Sequence, residues 1–495
     1  MRVLILVLLL AACASAGFFD TKLGEKIKNT WSKIKTVLDS NKLAAIRDKI
    51  HALRDKIKAK LALSPERKAR LADLMKHIIN FKRNHVHKQG DSIEEINRKT
   101  KIGKLLYQAD IVLTRQQAND IEADVLGDPS RMKRQAFRDV RYPKTLWQNN
   151  TAHYFFHSNA TEDVKRVFRK AANLWMKDTC IDIVEKEEET DGDAIRVFVE
   201  DGCWSYVGRL GGPQNLSLGD GCESVGTAAH ELGHALGFFH THSRHDRDKY
   251  ITYNAANVKS DWEDQFTKQT PYTNENYGIK YDYGSIMHYG ATSATSNGLP
   301  TMVPHDPKYL QTLGSPMISF LELVMLNFHY GCNKICKRET SIKCKMGGLP
   351  HPRNCSTCIC PSGYGGDNCT ERPSGCGQEF EATDTPKTFT DVVGDRSQGF
   401  AERDEFDKCI YWIKAPAGKK VEIKLVSISD GLAVDGCQYA GVEIKTHKDQ
   451  KITGYRFCAK EDAGVTLVST GSTVPIITYN RVYATETVIQ YRIAP

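Results

Sequence analysis

HELGHALGFFHTHSRHDRD, residues 230–248, is the stretch on which the reading of this chain turns. His230 and His234 stand four residues apart, so a helix over 225–236 projects both imidazoles from one face, as two ligands of a single ion require. Glu231 falls on the next face, where it can take a proton from a metal-bound water without being a ligand itself. Gly237 can adopt the left-handed conformation that ends a helix, and the turn brings His240 back toward the same point. Three neutral nitrogen ligands with an open fourth position describe a catalytic zinc site rather than a structural one. HExxH alone arises by chance on surface helices; a helix breaker and a third histidine in register do not fit that reading.

Outward from this motif, the 495 residues allow about three domains, and a hydrophobic share of 40% suffices for packed cores. Residues 1–16 carry one Arg, an apolar run from Val3 to Ala12 and the small-x-small triplet Ala14-Ser15-Ala16, the pattern of a cleaved signal peptide. No run reaches the roughly 20 apolar residues of a membrane span, so a secreted, extracellular protein is expected. Of the 15 cysteines, Cys13 leaves with the signal, and the even remainder suits disulfides in an oxidising compartment. Sequons at Asn149, Asn159, Asn215, Asn354 and Asn368 agree with secretion. The net charge of +8 is uneven: residues 17–134 hold 27 Lys and Arg against 15 Asp and Glu, whereas 135–495 hold 40 against 45. The basic part is not the zinc part, which leaves no case for a nucleic-acid partner.

In 17–134, Leu23, Ile27, Trp31, Ile34 and Leu38, then Leu43, Ile46, Ile50, Leu53, Ile57 and Leu61, recur every three or four positions between lysines. That is amphipathic helix, packing on itself or on the enzyme. Arg131-Met132-Lys133-Arg134 follows the loop-forming Gly127-Asp128-Pro129-Ser130 and reads as a furin-type activation site cut after Arg134, with the enzyme starting at Gln135 or Ala136.

Four features together resemble the astacins, zinc endopeptidases of the metzincin clan: the extended motif through Asp248, the later Ser285-Ile286-Met287-His288-Tyr289, the stretch Gly202-Cys203-Trp204-Ser205-Tyr206-Val207-Gly208, and Leu216-Ser217-Leu218 before Cys222. With Thr241-His242 after the third histidine, and an EGF-like and a single CUB-like segment following the protease, the chain is similar to secreted nematode astacins. The resemblance implies an α+β catalytic domain over 135–334, with a mixed five-stranded sheet and a zinc-site helix. It implies one Zn2+ held by His230, His234 and His240, Glu231 as general base and then acid, Met287 in a turn beneath the metal, and Tyr289 as a fifth ligand that stabilises the oxyanion during turnover. The strand from Trp204 to Gly208 becomes the edge on which an extended substrate lies antiparallel. Family pairing joins Cys180 to Cys332 and Cys203 to Cys222. Leu106-Tyr107-Gln108-Ala109-Asp110 resembles the FxGD element of astacin prosegments, with Tyr107 and Ala109 in place of Phe and Gly, and makes Asp110 a zymogen latch on the metal. Two departures stand out. Thr241 and His242 replace the usual Glu and Gln, which puts the ion pair with the matured N-terminus in doubt, and 313–317 lacks the Arg that favours acidic residues after the cleaved bond.

Six cysteines within 335–371 mark a segment too small for a core of its own. It resembles an EGF-like module, which implies Cys336–Cys355, Cys344–Cys358 and Cys360–Cys369. Alternating strand patterns in 376–495 resemble an all-β CUB sandwich, with Cys376–Cys409 and Cys437–Cys458 implied. The leading reading is a secreted zymogen endopeptidase for extracellular proteins, matrix or cuticle among them. The competing one is an adhesion protein whose protease fold is a scaffold, but no ligand and no base is missing.

Overall fold

The computed structural model describes residues 40–127, 144–271 and 273–495. The expected signal peptide, the repeat before residue 40, the cluster ending at Arg134 and the new N-terminus lie outside the described residues.

The lysine-interleaved pattern from Leu43 to Leu61 forms two helices, α1 (Ser40–Ala52) and α2 (Arg54–Leu61), which part at Leu53. Ile50, Leu53 and Ile57 pack with Tyr107, Ile111, Ile121, Val125 and Val207, so the apolar stripe is spent partly within 40–127 and partly against the catalytic unit. Helix α3 (Pro65–Lys76) starts as the sequence dictates, with Ser64 accepting from Arg67 N and Pro65 in the first turn. Helix α4 (Ile93–Lys99), a two-residue strand β1 (Ile111–Val112) and α5 (Arg115–Leu126) follow; α5 opens on a Thr114/Gln117 capping box and ends at Gly127, φ +73°.

The catalytic unit supplies β2 (Thr151–Phe156), α6 (Glu162–Lys177), β3 (Asp182–Glu185), β4 (Ala194–Phe198), β5 (Cys203–Tyr206), β6 (Pro213–Leu218) and α7 (Val225–Ala235). Its five strands make the expected mixed sheet, but the sheet has six, in the order β1-β5-β6-β4-β2-β3. The extra one is β1, which pairs parallel to β5, Ile111 opposite Ser205 and Val112 opposite Tyr206. Only β5 and β6 run antiparallel. Helix α6 buries Val164, Val167, Phe168, Ala171, Ala172 and Trp175, one face at helical period. Trp175 Nε1–H donates to Ala229 O at 2.9 Å, locking α6 to α7. A strand pair, β7 (Ile251–Tyr253) with β8 (Met302–Pro304), and the capped α8 (Phe320–His329) complete the unit.

Beyond it, a hairpin of β9 (Leu349–His351) and β10 (Asn354–Ile359) sits among three disulfides. Arg353 reaches back to the catalytic unit, its guanidinium donating to Thr179 O (2.8 Å) and Ile181 O (2.6 Å). The remainder is a sandwich of a five-stranded and a four-stranded sheet facing across Ile413, Val442 and Ile476 from one and Ile423, Leu425 and Ile489 from the other. The sandwich packs directly on the catalytic unit. Tyr309 joins its core, Gln311 Nε2 donates to Asp462 Oδ1 (2.6 Å), and Arg456 donates to Ser315 Oγ (2.6 Å). The structure joins Cys180 to Cys332, Cys203 to Cys222, Cys336 to Cys355, Cys344 to Cys358, Cys360 to Cys369, Cys376 to Cys409 and Cys437 to Cys458. No described helix is long and apolar enough to cross a membrane.

Candidate active site

Helix α7 opens on Ser224, whose hydroxyl accepts from Thr227 N, and runs through Ala228, Ala229 and Gly233, small enough to admit close neighbours. A Cβ on Gly233 would stand 2.7 Å from Met287 Sδ, so Met287 lies directly against the helix between the two histidine turns. The backbone around Met287 is fixed by one buried carboxylate: Glu322 accepts from Ile286 N and Met287 N, both at 3.1 Å. That turn then orients the site. Ile286 O accepts from His230 Nδ1–H at 2.7 Å, and Met287 O accepts from Thr241 N at 2.9 Å. Gly237 adopts φ +117°, open only to glycine in practice, and the chain after it returns Phe238 O to His234 Nδ1–H at 2.7 Å.

With each Nδ1 occupied as a donor, the three Nε2 lone pairs face one point. His230 Nε2 and His240 Nε2 stand 3.3 Å apart. Asp110 enters between them: its Oδ2 lies 3.2 Å from His230 Nε2 and 3.1 Å from His240 Nε2, and its Oδ1 3.5 Å from His234 Nε2. All four residues are at most 3% exposed. Among the described residues, neither carboxylate oxygen of the fully buried Glu231 accepts a hydrogen bond, and His234 Nε2 and Asp110 Oδ1 make none within hydrogen-bond distance.

Two ligands about 2.05 Å from a tetrahedral zinc stand about 3.3 Å apart, the separation of the two Nε2 atoms. Burial pushes His240 down to about 3 and lowers His234 even against the charge of Asp110, so both are neutral near pH 7. Neutral imidazoles around a buried carboxylate are a donor set for a divalent cation. Burial, then the charge of Asp110, pushes Glu231 well above its ordinary value.

Tyr289 hydroxyl lies 2.5 Å from Asp110 Oδ2 and 2.8 Å from Gln108 O, with its ring 4.4 Å from that of His240. His242, named in the sequence only as a departure, stacks on His240 and Tyr289, and its Nδ1 accepts from Tyr289 N. Thr241 Oγ1 meets Ser285 Oγ at 2.6 Å, and Ser285 donates to Glu322 at 2.5 Å. Several residues escaped the sequence reading. Gln108 Oε1 accepts from His240 Nδ1–H at 2.9 Å, and Asn97 binds Cys203 N, Cys203 O and Ala109 O. Gln108 stood within the quoted FxGD-like stretch; Asn97 has no local signature. Of the sequons, Asn149 and Asn354 are exposed, while Asn159 is half-buried with Nδ2 donating to Val199 O at 2.7 Å. Asn215 and Asn368 are half-buried.

A family model described as Astacin (Peptidase family M12A) matches residues 139–331. Zinc metalloproteinase nas-31 of Caenorhabditis elegans is 48% identical over 414 residues, 83% of this chain and 67% of the relative. The chain belongs to the astacin family of zinc metalloendopeptidases. Zinc metalloproteinase nas-32 of the same organism is 38% identical over 402 residues, 80% of this astacin and 60% of the relative. Among solved structures, High choriolytic enzyme 1, a hatching enzyme zinc-protease from Oryzias latipes, is 31% identical over 38% of this chain and 96% of that one, with a TM-score of 0.36.

Proposed function

We propose that this astacin is a secreted zymogen that hydrolyses peptide bonds of extracellular proteins. In this reading residues 1–16 are a signal peptide, 17–134 the inhibitory prosegment, 135–334 the protease, 335–371 an EGF-like module and 376–495 a CUB domain. The observation that carries it is Asp110, a carboxylate from the prosegment set among three histidines that their carbonyl and amide partners aim at one point.

His230, His234 and His240 would hold the zinc, with Asp110 beside them as a further ligand until the prosegment leaves. When bound, zinc supplies Lewis acidity, polarising a carbonyl and acidifying water. Glu231, buried and without another partner, takes the proton of the attacking water and passes it to the leaving amine. Tyr289, freed of Asp110, turns its hydroxyl to the developing oxyanion. The edge of β5 receives substrate antiparallel, with backbone hydrogen bonds indifferent to sequence. Strand β1 occupies that edge in the parallel direction, which supports a blocking rather than a substrate-like role. Cleavage after Arg134 by a furin-like protease releases the block.

The test sets the matured protein against a quenched peptide, with and without a zinc chelator, beside Glu231→Gln. Chelation and the substitution are each expected to abolish cleavage, the latter with zinc content retained. Equal residual cleavage by Glu231→Gln overturns the reading and favours the adhesion alternative.

A further inference from the structure

A cavity of about 440 Å³ opens beside His230, between α7 and the C-terminal sandwich, with Gly226, Tyr289 and Pro316 in its walls. One side of it comes from a different domain. Asp435, 352 residues from its partner in the prosegment, accepts from Arg83 Nε at 2.7 Å through Oδ1. Its other oxygen is held by the catalytic unit: Thr292 N donates to Oδ2 at 2.7 Å, and the Thr292 hydroxyl donates to the same atom. Three glycines make this approach feasible. A Cβ on Gly290, the residue after Tyr289, would meet Asp435 Cβ at 2.8 Å; one on Gly314 would meet Gly290 Cα at 2.8 Å; one on Gly436 would run into Gly314 O. Gln438 donates to Gly314 O as well, and the Cys437–Cys458 disulfide closes the loop behind. Asp435 therefore keeps its place from contacts that do not involve the prosegment, and only Oδ1 changes partner when Arg83 leaves.

The direction of the substrate assigns this carboxylate a position, an inference that rests on the peptidase reading above. Prosegment residues 89–98 lie at the Cys203 end of β5, where Asn97 binds Cys203 and Gln89 packs on Gly221. A chain antiparallel to β5 enters at the Tyr206 end and runs, past the cleaved bond, toward the Cys203 end, where the cavity is. We propose that Asp435 is a specificity-determining residue contributed by the sandwich domain, selecting a basic side chain one to three positions after the scissile bond. Arg83 occupies that subsite in the zymogen, as the guanidinium a substrate would bring. Lys259 also lines the cavity, near both Arg98 and Glu94 of the prosegment. With the prosegment gone, Asp435 keeps no cationic partner among the described residues. The selectivity is the reverse of the acidic preference that an Arg before α8 would confer, and 313–317 holds none.

The experiment uses the matured full-length protein and quenched peptides identical except for Arg, Gln or Glu at the first, second and third positions after the cleaved bond. At one of these positions kcat/KM is expected to favour Arg over Gln by about tenfold. Asp435→Asn is expected to bring that ratio to about one, and Asp435→Arg to turn the preference toward Glu. In the wild-type protein alone, the ratio is expected to shrink as salt is raised from 0.05 to about 0.5 M, a readout that stands if a variant fails to fold. No Arg preference at any position, or a ratio that Asp435→Asn leaves untouched, overturns the assignment. Zinc-dependent cleavage blind to charge sinks only this inference; absence of any cleavage that depends on Glu231 sinks the peptidase reading beneath it.

Discussion

Ala109 sits at φ +74° beside Gln108 at φ +49°, and these two left-handed residues turn the chain so that Asp110 points at the histidines. A side chain at such a φ costs about 1–2 kcal/mol, which is why the resembling element carries glycine. Here the methyl is wholly buried, worth about 0.8 kcal/mol, and the unfolded chain is stiffer than with glycine by a similar amount. The terms nearly cancel, so the substitution that weakens the motif in the sequence leaves the loop intact in the structure. The sequence was thus enough to point to Asp110, while Gln108, which holds both Tyr289 and His240, was legible only as a filler position. Asp110→Ala removes a carboxylate making charge-assisted contacts of about 1.5–3 kcal/mol. The uncleaved variant is expected to hydrolyse a small quenched peptide about tenfold or more faster than the uncleaved wild type. Equal silence of the two would show that strand β1, not the aspartate, maintains latency.

Among the elements, α7 was readable because four-residue spacing and a following glycine are local facts. Strand β1 was not: two residues carry no period, and the pairing joins positions almost a hundred residues apart. What secures it is Asn97, fully buried, whose amide donates to Cys203 O (2.6 Å) and Ala109 O (2.9 Å) and accepts from Cys203 N (2.8 Å). Asn97 caps the end of β5 as a further strand residue would. Truncation leaves the buried Cys203 N–H and two carbonyls without partners, at about 1–3 kcal/mol. Asn97→Ala is expected to lower the unfolding free energy of the zymogen by about 2 kcal/mol and to speed hydrogen exchange at Cys203 and Ser205. Under the proposed cleavage after Arg134 the matured enzyme lacks residue 97 and should match wild type; an uncleaved variant as stable as wild type in denaturant would refute the capping role.

At the scale of the whole molecule residues 40–127, the protease and the sandwich close on one another, and this arrangement had no trace in the sequence. Cysteine spacing and strand alternation suggest the modules, but the docking of the sandwich depends on pairs more than 140 residues apart in the chain, with the protease and with residues 84–91 alike. Asn84 and Ala433 exchange two hydrogen bonds (Asn84 N to Ala433 O, 2.8 Å, and Ala433 N to Asn84 Oδ1, 2.9 Å), Tyr439 hydroxyl donates to Asp91 at 2.7 Å, and Val86 packs with Val434 and Val482. On the proposed zymogen reading, release of 17–134 breaks contacts with the sandwich as well as with the zinc site. One of them titrates. His87 lies against Glu402, which also pairs with Arg481; the hydrogen bond to Glu402, with the charges of Glu402 and Asp91, raises His87 above its ordinary value in spite of partial burial and Arg481. In a released prosegment the imidazole returns to about 6.5. The cationic form thus favours the docked state, its contribution full below about pH 6.5 and lost as pH rises through the higher docked value. With Glu231→Gln as background to prevent self-digestion, a labelled prosegment cleaved at Arg134 is expected to dissociate faster at pH 8 than at pH 6, as read by size-exclusion chromatography. His87→Gln should flatten that difference by losing the slow release at pH 6. Should the full pH dependence persist in His87→Gln, the titrating contact lies elsewhere and His87 is a bystander on a half-exposed surface.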